Sequence, residues 1–104
     1  MKKYNKKLYS NNPEFEDLVT KLVFHTFGIG FKMQTWKAAN TFLCNLIQYG
    51  SIQKYEKEGS NLHKIMKTMS YHGYLVIEKL HGQYTKYVIS KTDKFDSVFV
   101  VFGV

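Results

Sequence analysis

Three histidines, His63, His72 and His81, stand nine residues apart, a spacing that fits no single helix face and no metal-ligand motif. Each reads more simply as a surface or hydrogen-bonded side chain. Glu14, Glu16 and Asp17 crowd into four positions and could suggest acid–base or metal chemistry. They follow Asn12-Pro13, however, and acids in the first turn of a helix answer its positive end. Gly28-Ile29-Gly30-Phe31 opens like a phosphate-binding glycine motif, but no G-x-x-G or G-K-[ST] completes it. It reads as a connector with conformational freedom. The single cysteine, Cys44, lies among Phe42, Leu43, Leu46 and Ile47, which fits a small buried hydrophobe and excludes an internal disulfide framework. With no nucleophile elbow and no H-x-x-x-H, the sequence predicts no catalytic residue, no metal, no cofactor and no enzyme.

The remaining chemistry is that of lysine. The chain of 104 residues carries a formal charge of +7, all fifteen basic residues being lysine. Met1 to Asn12 holds four lysines and no acid; Pro13 to Glu58 balances five against five; Gly59 to Lys91 holds five lysines against Glu78 alone. Charge concentrated in this way points to a polyanionic partner. Without arginine the chain lacks the planar fork that reads guanine bidentately. The lysine, asparagine, isoleucine, tyrosine and phenylalanine usage fits an AT-rich coding sequence, as in a phage, another virus or a low-GC bacterium.

These groups need elements to hold them. Hydrophobic residues make up 44% of the chain and aromatics 16%, enough to exclude disorder and to expect one domain over 13–104 behind a flexible basic arm at 1–12. Asn12 and Pro13 start a first helix, with Phe15, Leu18, Val19, Leu22 and Val23 at helical spacing, ending near Phe27-Gly28. Thr35 is expected to cap a second helix that carries Trp36, Ala39, Phe42, Leu43, Leu46 and Ile47 and stops at Gly50. Ser51 to Glu58 reads as a short strand followed by one turn of helix. Ser60 caps a third helix with Leu62, Ile65, Met66 and Met69 inside and Asn61, His63, Lys64, Lys67, Thr68 and Tyr71 outside. After Gly73, Tyr74 to Leu80 and Gln83 to Ser90 read as a hairpin turning at His81-Gly82. Phe95 to Val104 reads as a final strand, apolar on both faces. The fold class expected is α+β, about three helices with a C-terminal antiparallel hairpin. No stretch approaches a membrane span, and no apolar segment follows the basic start, so a cytoplasmic protein is expected, in the host cytoplasm if viral.

The stretch NLHKIMKTMSYHGYLVIEKLHGQYTKYVIS, residues 61–90, resembles the recognition helix and wing of winged helix-turn-helix DNA-binding domains. Leu62, Ile65, Met66 and Met69 match the buried face; Gly73, Tyr74 and Leu75 match the helix stop and the start of the strand; His81-Gly82 would be the wing tip. The interval from Gly50 to Gly59 is short for the usual middle helix of that motif.

The resemblance implies a small transcriptional regulator with the third helix in the major groove of double-stranded DNA. Lys64 and Lys67 would meet phosphates, Asn61, His63 and Thr68 would face base edges, and Tyr71 shares their face. Lys79, His81, Gln83 and Lys86 would approach a neighbouring backbone or minor groove. His63 and His81 would add charge, and so affinity, at mildly acid pH. A homodimer on a two-fold site would be in keeping with the family. The alternative is a protein-interaction module, such as a small viral protein that binds host machinery. Its interface would use Tyr4, Tyr9 and the apolar C-terminal strand.

Overall fold

Asn12 starts the described chain as it starts the first helix. Its Oδ1 accepts the Phe15 N–H at 3.0 Å, Pro13 supplies the fixed φ of the first helical position, and helix α1 (Pro13–Phe27) follows. The computed structural model describes residues 12–80 and 86–99. The basic arm before Asn12 lies outside them, as do the hairpin tip at His81, Gly82 and Gln83 and the chain from Val100 onward.

Helix α2 (Met33–Tyr49) begins two residues before Thr35, with Lys32 at the cap and no side-chain cap bond. The expected Thr35 cap is therefore corrected. The Thr35 and Trp36 N–H groups both already donate to the Lys32 carbonyl, and the Thr35 hydroxyl accepts from Asn61 Nδ2 at 3.2 Å instead. Gly50, at φ +76°, takes a left-handed conformation that side-chain-bearing residues avoid. This lets α2 run directly into strand β1 (Ser51–Tyr55). The expected turn of helix after β1 is absent. A tight turn closed by the Ser60 N–H on the Lys57 carbonyl takes its place.

Helix α3 (Asn61–Tyr71) is capped as its sequence predicts. Ser60 Oγ accepts the His63 N–H at 3.1 Å and donates to Glu56 at 2.8 Å. It ends in a Schellman arrangement: the Gly73 N–H reaches the Ser70 carbonyl and the Tyr74 N–H the Met69 carbonyl, with Gly73 at φ +82°. Strands β2 (Leu75–Leu80) and β3 (Lys86–Lys91) pair antiparallel, and β1 adds to the far side of β3, giving a three-stranded sheet in the order β1-β3-β2. Leu80 faces Lys86. A two-residue turn at His81-Gly82 would set Leu80 against Gln83, so the register overturns that turn.

The expected final strand is also corrected over its described part, because Asp93–Phe99 is helix α4. The Asp96 N–H donates to the Thr92 carbonyl, and Asp93 and Asp96 lie in the first turn. Phe95 and Phe99, four apart, both turn inward with ring centroids 5.0 Å apart. The alternation of apolar residues that suggested a strand is outweighed by this local start signal, Thr-Asp followed by an i, i+4 aromatic pair.

The fold is thus α+β, with four helices among the described residues and one antiparallel sheet. Its core draws Phe15, Val19 and Val23 from α1, Leu43 and Leu46 from α2, Ile65, Met66 and Met69 from α3, Ile89 from β3 and Phe95 from α4. Among the described residues no helix is long and apolar enough to cross a membrane.

Candidate nucleic-acid interface

Positions 61, 64, 67, 68 and 71 lie along one side of α3, because residues three and four apart share a helix face. Lys64, Lys67 and Tyr71 are exposed, Tyr71 to 87%. Helix α3 contains no acid, and among the described residues neither lysine makes an ion pair. The positive charge of this face is therefore unspent.

The neighbouring polar groups are engaged. Asn61 is exposed but donates to Thr35. Thr68 is half-buried and its hydroxyl donates to the Lys64 carbonyl at 3.0 Å. His63 is not on the outer face, as the helical pattern suggested, but buried. Its Nδ1 accepts the Gly59 N–H at 3.0 Å and its ring lies 5.5 Å from that of Tyr87. The Gly59 turn holds this imidazole inward, away from the outer face of α3.

The hairpin lysines diverge. Period-two alternation puts Lys79 on the inner face of the sheet with Leu75 and Ile77, beside Tyr87. Its Nζ sits 3.9 Å from Glu58. Lys86 is on the opposite face, its ammonium 5.6 Å from the centre of the Tyr55 ring. Lys67 and Lys79 are brought together by an open groove of about 400 Å³ between α3 and the inner face of the hairpin, which His63, Met66, Ile77 and Tyr87 also line. The buried Tyr87 hydroxyl has no hydrogen-bond partner among the described residues. His81 and Gln83 lie outside the described residues.

Sequence reasoning missed Glu58, which offsets Lys79, and Tyr87 as a groove wall. Alternation does place Tyr87 on the inner face, but no local signal brings it to α3. Compared with protein-family models, with curated proteins and with solved structures, the chain matches none.

Proposed function

We propose that this protein binds double-stranded DNA, presenting the outer face of α3 to the major groove with the β2–β3 hairpin beside it, in the manner of a winged helix. The observation that carries the reading is the Lys64–Lys67 stripe, without an ion pair among the described residues, on a helix without acids. The succession of α3, a glycine stop and a hairpin supports it, as does a sheet in which β1 flanks β3. With Asn61 tied to Thr35 and His63 buried, few groups remain to read base edges. Binding is chiefly to phosphate and tolerant of sequence, as suits a small viral, phage or low-GC bacterial regulator acting on A·T-rich DNA.

Fluorescence anisotropy of a labelled duplex across a salt series tests this. Affinity is expected to fall steeply with salt, and Lys64→Ala with Lys67→Ala to flatten the log–log slope by about 1.8, roughly 0.9 for each phosphate no longer neutralised. A chain that leaves the duplex free even at low salt would overturn the proposal.

A second reading, a protein-interaction module, draws on the outer face of the sheet, where Tyr55 is 64% and Val76 61% exposed. Its signature is a partner retained at high salt and lost on Val76→Lys.

A further inference from the structure

The C-terminal ends of α1 and α3 converge on a pair of imidazoles. His25 lies in the last turn of α1, and His72 follows the last residue of α3. Their Nε2 atoms are 3.4 Å apart, their ring centroids 5.3 Å apart and their planes inclined at 62°. The contact has the geometry of a long N–H···N hydrogen bond in which either ring can donate, according to tautomer. A tetrahedral ion about 2.05 Å from each nitrogen sets the nitrogens about 3.4 Å and the centroids about 5.2 Å apart. Both observed distances are compatible with an ion taking the place of the shared proton.

We propose that His25 and His72 form a two-imidazole site for one divalent transition-metal ion of the zinc or nickel class, held through the facing Nε2 atoms. Such ions prefer imidazole, whereas magnesium and calcium demand oxygen. No cluster of three or more histidine, cysteine or acidic groups occurs among the described residues, so water completes the coordination. An open groove of about 250 Å³ beside the pair, lined by Leu22, Thr68, Tyr74 and Phe99, leaves room for it. The rings of Tyr71 and Tyr74, 5.3 and 6.3 Å from that of His72, restrict its tilt.

Two cations stand nearby and set the strength of the site. Lys21, which also lines the groove, is paired with Asp17 at 2.9 Å. Lys94 donates to the His72 carbonyl at 2.6 Å. Their charge opposes a further cation, so the site belongs to the weaker, open class rather than to closed structural sites. Because the ligands come from two helices, a bound ion clamps α1 to α3 and favours the folded state over the unfolded one.

The test is thermal unfolding and titration calorimetry of the full chain, free of any affinity tag, with zinc, nickel or magnesium chloride. Zinc and nickel are expected to raise the midpoint and magnesium to leave it unchanged. Loss of an outer-shell partner alone costs a metal site about tenfold or more, so His25→Gln and His72→Gln should each weaken zinc at least that much. Both residues are exposed, so neither substitution disturbs the core. His81→Gln should bind zinc like the parent chain. Absence of a zinc-dependent shift in the parent, or undiminished binding by His25→Gln, would overturn the site.

Discussion

Helices α1 and α3 begin in the same way and are buried in the same way. Each is capped by a short polar side chain that accepts the N–H three residues on, at 3.0 Å for Asn12 and 3.1 Å for Ser60. Each drives fully buried residues into one core. They differ in the outer face. Helix α1 puts Glu14 and Glu16 in its first turn and pairs Asp17 with Lys21, so its charges are answered within the helix. Helix α3 has no acid, and Lys64 sits one turn from its positive end. It forgoes about 0.3–1 kcal/mol of favourable dipole interaction and about 0.2–0.5 kcal/mol of side-chain pairing. Two helices with similar interiors thus separate a face serving the fold from a face left available to a partner.

The comparison can be tested first at its shared part. Phe15→Ala in α1 and Met69→Ala in α3, both fully buried, should cost about 3–5 and 2–5 kcal/mol respectively in urea unfolding. A loss well below 1 kcal/mol at either site would mean that helix is not anchored as described. The next effect separates the two faces. Lys64→Ala with Lys67→Ala should weaken duplex binding at low salt several-fold or more, while Lys21→Ala, on the self-satisfied face, should leave it unchanged. Equal losses from both would reduce the difference to net charge alone.

The caps come next in size. Asn12→Ala and Ser60→Ala should each lower stability by about 1 kcal/mol, read from the urea midpoint at constant slope. Smallest and sharpest is Lys64→Glu. An acid near the start of α3 should stabilise the fold by about 0.3 kcal/mol or more while weakening duplex binding beyond the alanine variant. A variant that gains stability and keeps its affinity would sever the link between unspent charge and function.

Some of this architecture is legible without coordinates because its causes are local. Asn12-Pro13 and Ser60 mark helix starts, since a cap acts over three residues. The inner residues of α1, α2 and α3 follow from helical spacing, and the inner faces of β2 and β3 from alternation. Where two local signals compete, pattern reading chooses badly. Asp93–Phe99 carries both an alternation and a helix start, and the start prevails because Phe95 and Phe99 then fill the core together. Thr35 is a good cap by type, yet α2 begins earlier and gives that hydroxyl to Asn61.

By itself, the sequence determined where charge accumulates, that no arginine is present to read guanine, and where α1, α3 and the hairpin begin. These depend on composition and on neighbours within about one helical turn. The tertiary structure alone decided which polar groups remain free. It turned His63 inward against Gly59 and Tyr87, set Leu80 against Lys86, and brought His25 within 3.4 Å of His72. Those outcomes join residues as far as 47 positions apart. They arise from closing one core around the four described helices, and no local propensity encodes which exposed positions such packing will consume.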